Sequence, residues 1–424
     1  HTYAKSLVER GLAYPCFCTE EELDKVRAKQ EEDKVLTGYY GEYATCRNLS
    51  YEEVEANIKA GKPYVLRLRS QGSPDKEITF VDAIKGEIKL PENIHDIVLL
   101  KKDGIPTYHF AHAIDDHLMR TTTVVRGGEW LASAPIHYEL FHLLGFKMPA
   151  YAHTAHLMKF DEETGGKRKL SKRKDPELSL DYYRKDGYHP YTMKVYLLTL
   201  LNSNFEEWHE KFPDKDINEF PFSVEKMNQS GALFDKDKLH NICKNELSKL
   251  SEEELYDFLY DWAKENEPEN VEKWFGDREK MLQILRLYMG VGAKRRRKDL
   301  MYAKQIFELI SYFFDGESAE EMDEFKLDED MVSKILKSYL AKYDHNDDNS
   351  VWFNKLKEIA DEHGFASDMK AYKANPENFK GNVSDIAEAV RIAVTGRANT
   401  PDLWTIVHIM GEEQMTERIK KHIK

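Results

Sequence analysis

The spacing of apolar residues changes near Ser179, and this change limits the fold more than any other feature of the chain. Before it, helical and strand-like runs alternate, which is typical of a mixed α/β domain. After it, apolar residues recur at the 3.6-residue spacing of a helix, as in residues 191–201 and 281–289, and strand signals almost vanish. The pattern therefore predicts an α/β part followed by an all-α bundle or superhelix.

The α/β part carries start and stop signals for its elements. Thr19 followed by three glutamates predicts a capped helix that runs to about Lys34. Residues 101–104 predict a hairpin turn, and a later helix is expected over residues 134–144. The predicted strands are residues 64–68, 78–81, 97–100, 107–113 and 122–125.

The totals exclude several classes of protein. A length of 424 residues predicts two or three domains. No run approaches the roughly 18 apolar residues of a membrane-spanning helix, and aromatic residues at 12% are too frequent for a disordered chain. Four cysteines are too few for a secreted disulfide scaffold, and no secretory signal is visible. We therefore expect a cytoplasmic protein that makes no use of a membrane.

Taken alone, the net charge of −14 argues against a nucleic-acid partner, but its weight depends on where the acidic residues lie along the chain. Residues 1–200 sum to −1 and residues 201–424 to −13, so the acidic excess belongs to the second half. Because local patches rather than the total charge select partners, a nucleic acid stays open as a ligand.

The densest cationic segment, residues 167–174, places six Lys or Arg side chains in eight positions. It follows Thr164-Gly165-Gly166 and precedes Asp175-Pro176, which indicates a mobile loop. Ammonium groups on such a loop can neutralise the charge that develops when pyrophosphate leaves a polyphosphate. On composition alone, a solvated surface loop or a general phosphate contact fits at least as well.

A second cluster, over residues 106–117, combines a tyrosine, three histidines and two aspartates. If residues 107–113 form a strand, Tyr108, Phe110 and His112 share one face. The phenol and the imidazole could then bind a carboxylate or an amino group. A metal site is a weaker hypothesis, because two of the histidines would face opposite sides of the strand. An ordinary strand end with a buried tyrosine stays equally open.

Arg126-Gly127-Gly128-Glu129-Trp130 follows the next predicted strand. Two glycines allow close approach of the backbone to a ligand, and the arginine can grip a carboxylate or phosphate with two hydrogen bonds. The alternative is a plain turn between a strand and a helix.

Three of the four cysteines, Cys16, Cys18 and Cys46, fall in one region and fit a zinc knuckle. A closed site needs a fourth ligand, and no histidine lies nearby in the sequence, so Tyr43, a carboxylate or water would have to serve. Three free buried thiols explain the pattern equally well.

Lys294-Arg295-Arg296-Arg297-Lys298 is the only dense basic run in the acidic half. It could contact an RNA backbone, and a solvated helix face is at least as good an explanation.

These segments, in this order, resemble the bacterial glutamyl-tRNA synthetases, a class I family, over almost the entire chain. Lys169-Leu170-Ser171-Lys172-Arg173 is similar to a variant of the class I signature loop Lys-Met-Ser-Lys-Ser. Residues 106–117 with 123–130 resemble the family's glutamate-pocket block, and residues 14–19 with Cys46-Arg47 resemble its zinc-bearing insertion.

Two stretches of the helical part, residues 230–235 and 391–403, also resemble the family. The resemblance implies a Rossmann-type catalytic domain with an acceptor-binding insertion, followed by a helical anticodon-binding region. The expected domains are residues 1–178, with the zinc-like insertion at about 14–48, then a stem-contact domain at 179–248 and an anticodon-binding domain at 249–424.

The resemblance also implies roles for single residues. Tyr108, His112 and Arg126 would hold the substrate glutamate, with Arg126 on its side-chain carboxylate, although His112 stands where the family often has Asn. Lys172, supported by Lys169, would act on the triphosphate. The residues implied to line the ATP and adenylate pocket are Glu129, Trp130, Leu157, Met158 and Lys172.

The implied reaction has two steps and no side-chain nucleophile. The α-carboxylate of glutamate attacks the α-phosphate of ATP in a step assisted by Mg²⁺, and a ribose hydroxyl of tRNA(Glu) then attacks the mixed anhydride. Catalysis would consist of positioning and charge stabilisation. The family pattern suggests a monomer, with Zn²⁺ as a further candidate cofactor.

One departure from the family is large. The His-Ile-Gly-His type motif of the first half-Rossmann unit would belong upstream of His1, so we expect a truncation of roughly a hundred residues or fewer. On that basis the isolated chain is expected not to form the adenylate. The alternative function is a non-catalytic or paralogous tRNA-binding protein derived from a synthetase.

Overall fold

The computed structural model describes residues 1–161, 163–229, 231–314 and 322–424, and the chain divides into two compact units. The first unit comprises residues 1–170 and 198–234, and the second comprises residues 171–197 and 235–424. Residues 198–234 belong to the first unit because Ala232–Leu233 pairs with residues 157 and 158. The domain boundaries at 178 and 248 stay predictions that do not coincide with this division. Ser230, in one of the family-like stretches, lies outside the described residues.

Strands are concentrated before residue 170, and helices dominate after it. The strands are β1 (Ala13–Cys16), β2 (Val65–Leu68), β3 (Glu77–Asp82), β4 (Gly86–Pro91), β5 (Val98–Leu100), β6 (Thr123–Gly127), β7 (Ala150–Thr154), β8 (Leu157–Phe160), β9 (Lys167–Lys169) and β10 (Ala232–Leu233). The earlier helices are α1 (Thr2–Glu9), α2 (Glu20–Glu32), α3 (Tyr51–Lys59), α4 (Tyr108–Leu118), α5 (Ala134–Leu144), α6 (Leu180–Asp186), α7 (Pro190–Leu201) and α8 (Phe205–Lys211). The later helices are α9 (Lys236–Leu247), α10 (Glu252–Asn266), α11 (Val271–Phe275), α12 (Arg278–Met289), α13 (Ala303–Ile310), α14 (Glu329–Lys342), α15 (Asn349–His363), α16 (Met369–Ala374), α17 (Val383–Thr395), α18 (Leu403–Met410) and α19 (Glu412–Lys420).

The described strands form three small sheets. One has the order β1-β2-β5 and is antiparallel, and a second has the order β10-β8-β9. The third, with the order β4-β3-β7-β6, is mixed, because β7 runs parallel to both β3 and β6 while β4 is antiparallel to β3. This mixed sheet supports the candidate site.

Helices α1, α4 and α5 bury their apolar faces against the sheet β1-β2-β5. Leu7, Leu68, Leu99 and Phe110 are at most 1% exposed in this core, and full burial of such a side chain contributes roughly 1.5–3 kcal/mol. The packing fixes α4, which carries several of the predicted ligand residues.

The strand predicted over residues 107–113 is wrong, because this segment starts α4. Thr107 takes the extended N-cap conformation after Pro106, and the buried residues Phe110 and Ala113 recur at helical spacing. The predicted turn exists, with Lys101 N–H donating to the Ile105 carbonyl. After this turn the chain pairs with β5 through a single bridge, between Leu100 and Pro106, and α4 follows in place of a second hairpin strand.

The second unit packs its helices around one continuous apolar core that runs from Leu247 to Ile419. The capped start predicted at Thr19 in the first unit is matched here by capping boxes at Ser251 and Asn382. Among the described residues, no helix is both long and apolar enough to cross a membrane.

Candidate active site

Parallel strands bring the candidate site together from distant parts of the sequence. Arg126 on β6 lies opposite His153 on β7, and Asp82 on β3 lies opposite Tyr151 on β7. The turn Gly128–Ser133 then carries Glu129 and Trp130 away from the end of β6. The site is therefore formed where β6 ends and this turn begins.

The Arg126 guanidinium is held by three neutral groups. Its Nε donates to His153 Nε2 at 2.9 Å, and its Nη1 lies 3.1 Å from His137 Nδ1. Its Nη2 donates to the Trp130 carbonyl at 3.4 Å, and the guanidinium lies over the Tyr151 ring at 4.8 Å. In the described part of the chain, Arg126 takes part in no ion pair with a carboxylate, so its charge is open to a ligand.

Asp82 and His153 form a buried pair behind Arg126. His153 Nδ1 lies 2.6 Å from Asp82 Oδ2, and both side chains are fully buried. Burial alone would raise the pKa of Asp82, but hydrogen bonds from His153, Lys85 and Ile84 hold it below its ordinary value. Burial lowers the pKa of His153 despite the neighbouring carboxylate.

A second histidine pair holds the other side of Arg126. His137 Nε2 lies 2.9 Å from His109 Nδ1, and the His137 side chain is fully buried. Burial, together with the neighbouring His112 and Arg126, lowers the pKa of His137 to about 2. Burial also lowers the pKa of His109. Both rings are therefore neutral at ordinary pH and leave the arginine charge uncompensated.

Tyr108 forms the outer wall of the site. Its side chain is 51% exposed, and its ring stacks on His112 with centroids 5.8 Å apart. It also lies 4.6 Å from the Trp130 ring. Because α4 is a helix, Tyr108 and His112 share a face as residues i and i+4, whereas Phe110 is buried on another face. The shared face of these two residues was correctly predicted, but for a strand.

His112 has both ring nitrogens engaged by the protein. Its Nε2 lies 2.8 Å from the Tyr151 hydroxyl, and its Nδ1 lies 2.9 Å from Asp116 Oδ2. Burial lowers the pKa of His112, against the effect of Asp116. His112 therefore supports the wall of the site, and its role as a direct glutamate ligand stays a prediction.

Glu129, Lys169 and the strand β8 lie together beside the arginine. Glu129 Oε1 is 3.6 Å from Lys169 Nζ, and its Oε2 is 3.3 Å from His156 Nε2. β8 contains both Leu157 and Met158, and Met158 lies opposite Lys169 across the β8–β9 pair. Four of the five predicted ATP-site side chains, counting Trp130, are thus brought into one region with Lys169.

The glycine pair after Arg126 has a structural explanation. A Cβ at Gly127 would collide with the Glu129 carboxylate, and one at Gly128 would lie 3.3 Å from the Thr154 carbonyl. The close approach predicted from these glycines is thus made by the protein's own atoms.

Lys172 lies in the second unit, just after the division of the chain. Ser171 N–H donates to Asp175 Oδ2 at 2.8 Å, and Asp175 N–H returns a bond to the Ser171 carbonyl at 2.9 Å. Asp175 is 1% exposed, whereas Lys172 is exposed. The buried aspartate therefore closes a tight turn that presents Lys172 to solvent.

Cys16, Cys18 and Cys46 come together, with their sulfur atoms within 4.8 Å of one another. Cys18 Sγ and Cys46 Sγ are 3.5 Å apart. The pKa of Cys16 is lowered, first by hydrogen bonds from Cys18 and Cys46, and the pKa of Cys46 is raised, first by its hydrogen bonds with Cys16 and Cys18. The cluster thus favours one thiolate that accepts from the other thiols.

The tyrosine at this cluster is Tyr39 and not Tyr43. The Tyr39 hydroxyl lies 3.4 Å from Cys16 Sγ and 3.3 Å from Cys18 Sγ, and it accepts from Cys46 N–H at 3.0 Å. The Tyr43 hydroxyl instead donates to Asp33 at 3.3 Å on the surface. The choice of Tyr43 rested on its closeness in sequence, whereas the loop before Tyr43 turns Tyr39 inward.

Asp96 ties the cysteine segment to the sheet independently of the thiols. Its carboxylate accepts from Tyr14 OH at 2.6 Å and from Ser70 N–H at 2.9 Å, and it pairs with Arg47. Asp96 is fully buried, and Arg47 directly follows Cys46. The segment therefore has two separate attachments.

The basic run in the second unit lies on a loop and not on a helix face. Residues 291–300 follow the left-handed Gly290 that ends α12. Arg295 and Arg297 line a cavity of about 670 Å³ together with Arg286 and Thr405. Arg297 also pairs with Asp299 at 2.6 Å. Lys294 and Arg296 are exposed on the same loop.

Sequence patterns alone did not identify Asp82, His137 and His153, which together hold Arg126. Asp82 directly follows the predicted strand 78–81, and His153 lies within a strand that was not predicted. A titratable residue in an otherwise buried strand could have identified Asp82 and His153, and a histidine on the apolar face of the predicted helix 134–144 could have identified His137.

The chain is similar to known proteins along nearly its whole length. Residues 1–241 match a family described as tRNA synthetases class I (E and Q), catalytic domain, and residues 254–423 match an anticodon binding domain. The chain is 53% identical over 422 residues to a glutamate–tRNA ligase of Acetivibrio thermocellus, covering 99% of this chain and 76% of that protein. A glutamate–tRNA ligase of Clostridium perfringens is 46% identical over 426 residues, with 99% and 76% covered.

A solved structure extends the likeness to three dimensions. The crystal structure of a glutamate tRNA ligase from Elizabethkingia meningosepticum, in complex with its amino acid, superposes with a TM-score of 0.74 at 25% identity. The match covers 99% of this chain and 82% of that one.

Proposed function

Because this chain belongs to the glutamate–tRNA ligases, with their class I catalytic and anticodon-binding domains, we propose that Arg126 binds the side-chain carboxylate of the substrate glutamate. The family resemblance, the α/β-then-helical fold class and the ligase function are confirmed. A non-catalytic derivative is not favoured, since the chain matches ligases along 99% of its length.

The observation that carries this proposal is the set of partners around Arg126. A guanidinium has five N–H donors, and three are taken by His153, His137 and the Trp130 carbonyl. One N–H remains on each Nη, which suits a carboxylate that accepts two hydrogen bonds. The half-exposed Tyr108 lies 4.6 Å from the Trp130 ring, and the rest of the amino acid would lie against it.

We assign Glu129, Trp130, Leu157, Met158, Lys169 and Lys172 to ATP and the adenylate. Lys169 and Lys172 would neutralise charge on the triphosphate, and Glu129 would keep Lys169 in place before ATP arrives. Leu157 and Met158 on β8 would cover the adenine, and Trp130 would separate it from the glutamate. Mg²⁺, when bound with ATP, neutralises phosphate charge.

The chain's own groups position the reactants and supply charge, and no side chain acts as nucleophile. The α-carboxylate of glutamate attacks the α-phosphate, which forms the mixed anhydride and releases pyrophosphate. A terminal ribose hydroxyl of tRNA(Glu) then attacks the carbonyl carbon and releases AMP. The cationic loop stabilises the leaving pyrophosphate, which is the charge that develops in the first step.

We further propose that Cys16, Cys18 and Cys46 bind zinc, with Tyr39 as the fourth ligand. Zinc–sulfur bonds of about 2.3 Å in a tetrahedron place sulfur atoms about 3.8 Å apart. The sulfur separations, all within 4.8 Å and 3.5 Å for Cys18 and Cys46, suit such a site. Zinc there would cross-link the segment of residues 14–48.

For the second unit, we propose that Lys294, Arg295, Arg296 and Arg297 contact the tRNA backbone. Their loop is exposed and lines an open cavity with Arg286, so phosphates can reach it. We also propose that the protein acts as a monomer in the cytoplasm, where tRNA charging supplies translation.

Titration of L-glutamate tests the central assignment. Arg126→Ala should weaken glutamate binding at least about tenfold, because a charge-assisted bidentate pair is lost. Arg10→Ala, which removes an exposed arginine at the end of α1, is the matched control and should bind as the unchanged protein does. Equal affinity in Arg126→Ala and Arg10→Ala would contradict the assignment.

A further inference from the structure

The direction of the hydrogen bonds defines the state of His153. A guanidinium only donates, so His153 Nε2 must offer its lone pair to Arg126 Nε. The proton of the neutral ring then lies on Nδ1, which faces Asp82 Oδ2 at 2.6 Å. The carboxylate thus selects the one tautomer that can hold the arginine.

Asp82 is itself fixed by the backbone. Its Oδ1 accepts from Ile84 N–H at 3.0 Å and from Lys85 N–H at 2.9 Å, and its Oδ2 accepts from His153 N–H at 3.1 Å. The side chain is 1% exposed. Because β3 and β7 are hydrogen-bonded neighbours, the carboxylate position is set by the sheet and does not depend on a bound ligand.

The His153 ring lies between Asp82 and Arg126. It keeps the carboxylate that anchors the site away from the guanidinium that binds the ligand. A carboxylate paired directly with Arg126 would compete with the substrate for the guanidinium. The neutral imidazole of His153 holds the Nε edge without cancelling the charge, and neutral His137 does the same at Nη1. The two remaining N–H donors can then satisfy a carboxylate, whereas a primary amide would direct its own donors against one of them.

We propose that Asp82 and His153 are positioning residues that orient Arg126 and thereby set the preference for glutamate over glutamine. The inference rests on the proposed role of Arg126. Asp82 acts through His153, and neither side chain touches the substrate.

A pair of substitutions at His153 separates acceptor loss from packing loss. His153→Gln keeps a carbonyl acceptor that can reach Arg126 Nε, whereas His153→Leu removes the acceptor at similar volume. We expect His153→Leu to weaken glutamate binding roughly tenfold. We also expect it to lower the ratio of the affinity for glutamate to the affinity for glutamine. His153→Gln should recover most of both losses. Calorimetric titration with each amino acid measures these affinities, and thermal unfolding reports the folding of each variant.

Asp82→Asn tests the tautomer directly. An amide at this place can donate to His153 Nδ1, which favours the ring form with its proton on Nε2 and removes the acceptor for Arg126. Nitrogen-15 NMR of the histidine side chains should show an Nδ1-protonated ring at position 153 in the unchanged protein and a shift towards the Nε2-protonated form in Asp82→Asn.

The outcomes separate this inference from the proposed function. If Arg126→Ala weakens glutamate binding but His153→Leu folds and keeps the glutamate-to-glutamine ratio, the positioning role is wrong. Equal losses in His153→Leu and His153→Gln also contradict it, because the acceptor would then be irrelevant. If neither the unchanged protein nor Arg126→Ala distinguishes glutamate from glutamine, the proposed function itself fails.

Discussion

Arg126 Nη1 lies 3.1 Å from Nδ1 of His137, so a permanent cation abuts a histidine that is fully buried. A proton added to His137 would place two positive charges side by side. Burial and the neighbouring charges lower the pKa of His137 to about 2, and this has a consequence for the stability of the first unit.

The protein should lose stability as the pH falls below about 6.5, the ordinary histidine pKa. Below that pH His137 binds a proton in the unfolded chain but not in the folded one, so the unfolded state gains stability relative to the fold as the pH falls. His137 alone should cost about 1.4 kcal/mol between pH 7.5 and pH 5.5. Urea unfolding of the unchanged protein and of His137→Gln at both pH values measures this. The same pH dependence in both proteins would contradict the expectation.

Tyr39→Phe should weaken zinc binding, while Tyr43→Phe should not. The first substitution removes the hydroxyl that lies 3.3–3.4 Å from the sulfur atoms of Cys16 and Cys18, and the second removes one that reaches only Asp33. We expect roughly a tenfold loss of zinc affinity for Tyr39→Phe. Competition with a chromophoric chelator measures the affinity, and metal analysis gives the stoichiometry. A larger effect of Tyr43→Phe would support Tyr43 as the fourth ligand, as predicted from sequence. Protein that is purified without zinc and whose three thiols are readily alkylated would contradict the zinc site.

In the full-length enzyme, which carries the upstream half of the ATP site, Lys172→Ala should slow adenylate formation by roughly a hundredfold or more, because charge on the leaving pyrophosphate loses its partner. The fold should be unaffected, since Lys172 is exposed and the turn is closed by Asp175 and Ser171. Lys174→Ala, at the end of the same loop, is the control for a general loss of charge. Glutamate-dependent ATP–pyrophosphate exchange in the presence of tRNA(Glu) gives the rate. Similar rates for the two variants would assign the loop a non-specific role.

Replacing Lys294 and Arg296 with glutamine should weaken binding of tRNA(Glu) and flatten its salt dependence. Each lost phosphate contact should reduce the slope of log K against log salt by roughly 0.7–0.9. Lys264→Gln on α10, an exposed lysine 3.4 Å from Asp261, is the control. Filter binding at several salt concentrations measures both quantities. An unchanged slope in the double variant would exclude this loop from the RNA contact.

The helices and the order of motifs could be predicted because they depend on local spacing. The capping box at Thr19 and the apolar repeat of α12 are encoded within a few residues. The strand predicted over residues 107–113 failed because Thr, Tyr and Phe favour strands locally, whereas packing of Phe110 and Ala113 against the core selects the helix.

Sequence motifs identified the residues expected to contact the substrate, but not the residues that hold them in position. Arg126 and Tyr108 were identified from motifs, but Arg126 and Asp82 meet only through the pairing of β3, β6 and β7. Tyr39 was missed for the same reason, because closeness to the cysteines in space is set by a loop whose course no local signal defines. Side-chain partners separated by tens of residues follow from the tertiary fold.

Asp96 gives the cysteine segment a means of change over evolutionary time. Between α2 and α3 the backbone forms only two short 3-10 turns, so side chains determine the course of the segment. Arg47 and Tyr14 are anchored on Asp96 through contacts that involve no sulfur atom. A lineage could therefore lose its cysteines one at a time while the segment kept its place. Of the two attachments, the metal site would be more easily lost than the contacts of Asp96.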